Sequence, residues 1–126
     1  MARIILLLVI HLFADYIFQG SKMSSLKRLK NSALIEHVGI YTLIFIILSP
    51  FALGLTFIQG LQYSLLNGAL HFGIDYGTGR LKRYFLNKDN ESRYLTVIGM
   101  DYTVHFVILI LTYVYLFPHA YHAIVY

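Results

Sequence analysis

The sequence predicts an all-α fold, an integral membrane bundle of about four transmembrane helices that forms one domain over residues 1–126. Two observations predict it. First, 58% of the residues are hydrophobic and only 13% are charged, whereas a soluble domain carries about 25% charged residues. A chain this short could not hide so much apolar surface from water. Second, the apolar residues occur in long runs separated by basic segments, which is typical of membrane spans and their loops.

Four apolar stretches give the predicted transmembrane spans. They cover residues 4–20, 32–48, 57–77 and 95–117. Pro50, with Gly54 and Gly60 nearby, divides the long central run into the second and third spans, and Pro118 stops the fourth. The first two spans are short of the roughly 20 residues that a helix needs to cross a bilayer. We therefore expect a locally thinned bilayer or helix ends that flanking residues extend.

Basic residues in the loops predict the orientation. The basic residues after the first span are Lys22, Lys27, Arg28 and Lys30, and those between the third and fourth spans are Arg80, Lys82, Arg83, Lys88 and Arg93. The loop at residues 49–57 carries no charge. Because positive charge near span ends stays in the cytoplasm, we expect a bacterial inner-membrane protein with both termini outside.

Ionisable residues recur inside the predicted spans with one spacing. The His/Asp pairs are His11/Asp15, His71/Asp75 and Asp101/His105, and His37 lies in the second span. Residues four apart share a helix face, and an aspartate at the centre of a bilayer costs roughly 2.5–3.5 kcal/mol unless something compensates it. The order within a pair reverses where the span direction reverses, so each histidine lies deeper than its aspartate. We expect four helices to bring these groups to one depth near the cytoplasmic leaflet.

Imidazole nitrogen and carboxylate oxygen, in a chain without cysteine, suit a divalent metal such as Zn²⁺, Fe²⁺ or Mn²⁺. The predicted ligands are His11, Asp15, His37, His71, Asp75, Asp101 and His105, which are enough for two ions. A metal with an open coordination position makes bound water a nucleophile. The candidate catalytic residues are Asp15, Asp75 and Asp101, because an aspartate that is not a ligand could act as general base.

The predicted function is a membrane-embedded metal-binding protein, most simply a metal-dependent hydrolase that acts on a lipid or another amphipathic substrate. The basic loops could hold an anionic or phosphorylated lipid head group. Two alternatives stay open. The protein could be a non-enzymatic membrane subunit whose buried polar groups fix helix packing or bind a partner, or a proton or ion pathway, which would need a homo-oligomer or a membrane partner. Topology explains the basic loops, so nothing indicates a nucleic-acid role.

The motifs also carry a resemblance. The segment HLFADYIFQGSKMSSLK, followed by HFGIDY and DYTVH, resembles a family of small bacterial and phage membrane proteins of unassigned function. The shared pattern is H-x-x-A-D-x-x-x-Q, then H-x-x-x-D, then D-x-x-x-H. Its positions in this chain are His11, Ala14, Asp15, Gln19, His71, Asp75, Asp101 and His105. Tyr102 departs from the pattern, where a glutamine is expected. The resemblance implies no activity. More distantly, the chain is similar to membrane metal-dependent hydrolases with His and Asp in their spans.

Overall fold

The computed structural model describes residues 2–17 and 20–122 and is helical over most of their length. The elements are α1 (Ala2–Leu12), a π-helical turn (Phe13–Ile17), α2 (Gly20–Leu26), α3 (Asn31–Leu53), α4 (Phe57–Leu86), α5 (Glu91–Leu116) and α6 (Pro118–His122). The all-α prediction is confirmed for these ranges. Gln19, which belongs to the family pattern, lies outside the described residues.

Four helices form the bundle. Helix α3 packs against α4, α4 packs against α5, and α1 packs against both α3 and α5. Buried residues follow each long helix at intervals of four, as in the series Ala33, His37, Tyr41, Phe45 of α3 and the series from Val97 to Tyr113 of α5. This spacing keeps the buried side chains on one face of each helix.

The ends of α3 and α4 differ from the predicted span limits. Helix α3 continues through Pro50 to Leu53 and ends at Gly54, whose positive φ of 66° is the left-handed conformation that glycine adopts most easily. Helix α4 begins at a capping box, in which Thr56 and Gln59 each accept a hydrogen bond from the backbone of the other. It extends to Leu86, beyond the predicted limit at residue 77.

Of the helices that the structure describes, α3 and α5 are long and apolar enough to cross a membrane, by length and composition. Only 28% and 22% of their most apolar windows are buried inside the molecule, whereas a core helix of a soluble protein is mostly buried. Helix α1 has 11 residues, and α4 carries the basic side chains of Arg80, Lys82 and Arg83 in its C-terminal part. A bundle of four spans therefore stays a prediction.

The interior of the bundle divides into two regions. The aromatic half is the part of the apolar core formed by Phe45, Leu53, Tyr63, Leu109 and Tyr113. The polar half contains the buried groups His11, Asp15, His37, His71, Asp75, Asp101 and His105. It lies toward the end of the bundle that carries α2 and the C-terminal part of α4, because Lys27 and Lys82 reach it from there.

Candidate metal centre

Each element of the bundle contributes to the polar half. His11 is the penultimate residue of α1, and Asp15 lies in the π-helical turn that follows. π-helical turns are frequent at functional sites. His37 comes from α3, and the remaining residues come from α4 and α5 in pairs four residues apart, as predicted. All seven side chains are buried, with no residue more than 7% exposed.

Four of these residues point their ligand atoms at one another. His37 Nε2 lies 3.1 Å from Asp15 Oδ1 and 3.4 Å from Asp75 Oδ2. His71 Nε2 lies 3.6 Å and 3.5 Å from the same two oxygens. The two imidazole nitrogens are 3.1 Å apart. The buried set Asp15, His37, His71 and Asp75 could therefore hold a metal ion.

These separations match a tetrahedral metal site. Zinc binds histidine nitrogen and carboxylate oxygen at about 2.0–2.2 Å, and a regular tetrahedron of that size has edges of about 3.3–3.6 Å. Five of the six separations between the four atoms run from 3.1 to 3.6 Å.

Lys27 approaches three of the same four atoms from the loop after α2. Its Nζ lies 2.8 Å from Asp75 Oδ2 and 3.4 Å from Asp15 Oδ1, and it is 3.2 Å from His37 Nε2. The ammonium therefore offsets part of the charge of the two carboxylates. It would compete with a divalent ion placed there, because two cations cannot share these oxygens at low cost.

Asp101 is held differently. Thr78 Oγ1 donates to its Oδ1 at 2.6 Å, and Lys82 Nζ pairs with its Oδ2. Asp101 also belongs, with Asp75 and His105, to a second buried set whose ligand atoms lie within 4.8 Å of one another. Both of its oxygens already have partners, so it is less free to bind a metal than Asp15 or Asp75.

Three buried side-chain nitrogens have no hydrogen-bond partner among the residues that the structure describes. They are His11 Nε2, His71 Nδ1 and His105 Nε2. Leaving a buried polar atom unsatisfied costs about 1–3 kcal/mol. Such a concentration in one part of a small bundle therefore marks a place where a group beyond the protein's own atoms would be stabilising.

A cavity of about 110 Å³ opens beside these residues. The three aspartates line one part of it, and basic and hydroxyl side chains line another. Arg28 contributes to this wall and donates from Nη1 to the hydroxyl of Tyr94 at 3.1 Å. The cavity therefore brings both acidic and basic groups next to the candidate metal ligands.

Comparison with known proteins assigns the chain to a family. The family model described as "Protein of unknown function (DUF3307)" matches residues 4–125. The chain belongs to this family. The match confirms the predicted membership of a family of unassigned function and includes every candidate site residue of this DUF3307 chain. No curated protein and no solved structure matches it.

The DUF3307 chain thus buries all seven predicted residues and places six of them in the two convergent ligand sets, while His11 belongs to neither set. Their roles as ligands or catalytic groups stay predictions. Sequence reasoning missed Lys27, Lys82 and Thr78, because the lysines were assigned to the basic loops alone. Charge balance could have found the lysines: three buried carboxylates need cations, and the nearest basic residues in sequence are those that flank the spans.

Proposed function

We propose that this protein spans the membrane with four helices and binds a divalent metal ion at Asp15, His37, His71 and Asp75. The observation that carries the proposal is that five of the six separations between the four ligand atoms are 3.1–3.6 Å, close to the edges of a tetrahedral site. The charge supports it as well, since one divalent ion neutralises the two carboxylates.

The donor set favours Zn²⁺, Fe²⁺ or Mn²⁺, because two imidazoles and two carboxylates are borderline ligands and no thiolate is present. A bound ion would displace the Lys27 ammonium, whose flexible stem lets it turn toward the adjoining cavity. Lys27 is only partly buried, with 12% of its side chain exposed, so this movement needs no opening of the bundle.

A hydrolytic reaction on an amphipathic, phosphorylated substrate is the activity that fits this site best. The metal would supply Lewis acidity, and Asp101 would accept the proton of the attacking water as general base. Arg28, Lys82 and the displaced Lys27 line the cavity and would hold the anionic head group of a lipid from the cytoplasmic leaflet.

Metal analysis of the detergent-purified protein tests the proposal. We expect stoichiometric metal in the wild type and loss of it in His71→Ala, with metal retained but hydrolysis lost in Asp101→Ala. His119→Ala, at an exposed position in α6, is the matched control and should keep both. Wild-type protein without bound metal, after incubation with Zn²⁺, Fe²⁺ and Mn²⁺ in turn, would refute the proposal.

A non-enzymatic membrane subunit is the second candidate, and one observation favours it. Lys27 and Lys82 already pair with all three aspartates, as in a purely structural charge network. In that case, Lys27→Met would destabilise the fold and added metal would not restore it. A metal site predicts the opposite, because a divalent ion can replace the missing ammonium.

The membrane arrangement is part of the proposal. Its support is the exposure of large apolar side chains on the two apolar helices, such as Ile47 and Phe51 on α3 and Val107 and Leu111 on α5. The chain has no cysteine, so single cysteines at Ser25 and Ser92 can report the side of each loop. We expect a membrane-impermeant maleimide to label them only after permeabilisation, with both termini outside. Labelling in intact cells would reverse the orientation.

A further inference from the structure

We infer that the cavity beside the metal ligands binds the terminal phosphate of a phosphate monoester, and that Arg28 selects this group over a phosphate diester. The inference deepens the proposed function and rests on it, because the bound ion supplies part of the charge. Its starting point is the set of cationic side chains that line the cavity, which are Lys27, Arg28 and Lys82.

Arg28 differs from the two lysines in its partners. The lysines pair with the aspartates of the polar half, whereas Arg28 pairs with no carboxylate among the residues that the structure describes. Arg28 instead donates from Nε to the carbonyl of Ser24 at 3.1 Å and from Nη1 to the hydroxyl of Tyr94 at 3.1 Å. A guanidinium has five N–H donors, so others remain for an anion, and their planar arrangement suits phosphate oxygens.

The neighbours of Arg28 hold its side chain in place. A Cβ at Gly79 would lie 3.6 Å from Arg28 Cγ and 3.7 Å from its Cα, so the loop after α2 packs directly on α4 at this point. Tyr94 lines the cavity as well, and its hydroxyl accepts the bond from Arg28, which leaves its own proton for a ligand. A binding group that is already positioned loses little conformational entropy when the ligand arrives.

The charge of the cavity favours a dianion. The lining contains three aspartates and the three cationic side chains named above, so it is formally neutral. The proposed divalent ion adds two positive charges. A phosphate monoester carries about −1.5 to −2 at pH 7 and balances them, whereas a diester, with a single negative charge, leaves part of the positive charge uncompensated.

The volume of the cavity limits what it can hold. It measures about 110 Å³, and an engineered protein cavity of about 150 Å³ holds one benzene molecule. A phosphate group has fewer heavy atoms than benzene and fits, but a sugar bonded to it would not fit beside it. We therefore expect the phosphate to be terminal and the rest of the substrate to lie outside the cavity.

Aromatic and apolar side chains provide a path for an attached chain. Tyr16, Ile98 and Tyr102 also line the cavity. Tyr16 lies in the π-helical turn and is 67% exposed, and the other two are partly exposed on α5. Because these side chains reach the outer surface of the bundle, a hydrocarbon chain can follow them from the phosphate into the bilayer. Contact with them favours an alkyl phosphate over a soluble one.

Phosphonates test the inference, because their carbon–phosphorus bond resists hydrolysis. The ligands are decylphosphonate, its monomethyl ester, which keeps the chain and loses one charge, and methylphosphonate, which keeps the charge and has no long chain. We use Zn²⁺-loaded wild type in detergent, at a pH where the phosphonate is dianionic. Calorimetry should give an affinity for decylphosphonate about tenfold or more above those for the other two.

Arg28→Gln should abolish this selectivity. We expect the affinity for decylphosphonate to fall by about 10–100-fold, as for the loss of hydrogen bonds to a charged group, with the affinity for the ester and the metal stoichiometry unchanged. The matched control is Arg83→Gln, at an exposed position of α4 that does not line the cavity, and it should behave as the wild type.

The outcomes separate this inference from the metal site. Equal affinity for decylphosphonate and its ester in the metal-loaded wild type would overturn the inference and leave the metal site intact, and this result does not depend on the folding of a variant. Wild-type selectivity in Arg28→Gln would also overturn it. Methylphosphonate that binds as tightly as decylphosphonate would assign the site to a soluble phosphate monoester. A wild type that binds no metal would overturn both proposals.

Discussion

The aromatic half and the polar half of the bundle differ in whether their buried polar groups have hydrogen-bond partners. In the aromatic half, the hydroxyl of Tyr63 donates to the carbonyl of Leu109 at 2.8 Å, and that of Tyr113 donates to the carbonyl of Leu53 at 3.1 Å. In the polar half, three buried imidazole nitrogens have no partner within the described part of the chain.

This difference separates polar groups that bond neighbouring helices together from polar groups that could bind a ligand. A tyrosine hydroxyl that donates to the backbone of a neighbouring helix has its hydrogen-bond partner within the fold. The carboxylates and imidazoles of the polar half instead lie close together beside the Lys27 ammonium, so their burial depends on a cation. Variants in the two halves should therefore fail in different ways.

Removing the shared carboxylate should have the largest effect. Asp75→Asn keeps the size of the side chain but removes the negative charge of a proposed metal ligand that is also a partner of Lys27. Even outer-shell partners of metal ligands are worth about 10–100-fold in affinity, so we expect metal affinity to fall by more than about 100-fold, measured by competition with a chromogenic chelator. The control is Asp89→Asn, at an exposed turn with a φ of 49° that asparagine tolerates. Wild-type affinity in Asp75→Asn would contradict the proposed metal site.

Overpacking the contact between α3 and α4 should lower stability through the aromatic half and leave metal binding unchanged. A Cβ at Gly60 would come within 2.5 Å of Pro50 Cγ and 3.3 Å of Ser49 Oγ, and the proline ring cannot turn aside. We expect Gly60→Ala to lower the free energy of unfolding by about 1–3 kcal/mol, measured in detergent, with metal stoichiometry unchanged. The control on the same helix is Gly73→Ala, which meets nothing within 4 Å and should be neutral or slightly stabilising. Equal stability of the two variants would refute this packing.

Replacing Lys27, whose ammonium would compete with a metal ion, should raise metal affinity, the opposite of the effect of Asp75→Asn. Lys27→Met removes a positive charge that lies within 3.4 Å of two proposed ligand oxygens. Repulsion between charges at this range is worth about 1–4 kcal/mol outside the deep interior, so we expect metal to bind about tenfold more tightly or better. Lys30→Met, at an exposed position just before α3, should leave affinity unchanged. Weaker binding in Lys27→Met would show that the ammonium supports the site and does not compete with it.

The sequence predicted the helical class, the family and the residues of the polar half, because spacing by four is a local property that every helix converts into one face. It did not predict that Lys27 and Lys82 turn inward, since a lysine stem can extend to solvent or fold back, and only the packed neighbours decide. Nor did it predict that Asp15 and Asp75 both contact His37 and His71. These contacts depend on the angles at which α1, α3 and α4 meet, and sequence spacing carries no information on those angles.

The smallest effect should come from the aromatic half. Tyr63→Phe removes the hydroxyl that bonds to the Leu109 carbonyl and preserves the ring, which packs 6.4 Å from that of Tyr113. Thr112 Oγ1 also lies 3.1 Å from the same carbonyl, so the oxygen keeps a partner and the loss should be about 0.5–1 kcal/mol, seen as a small fall in thermal stability. Tyr115→Phe, 77% exposed, should show none. Because the Tyr63 hydroxyl bonds to a backbone carbonyl outside the polar half, metal stoichiometry should stay at the wild-type value. A loss of metal in Tyr63→Phe would mean that the two halves are coupled, and that the polar groups of the aromatic half also serve the site.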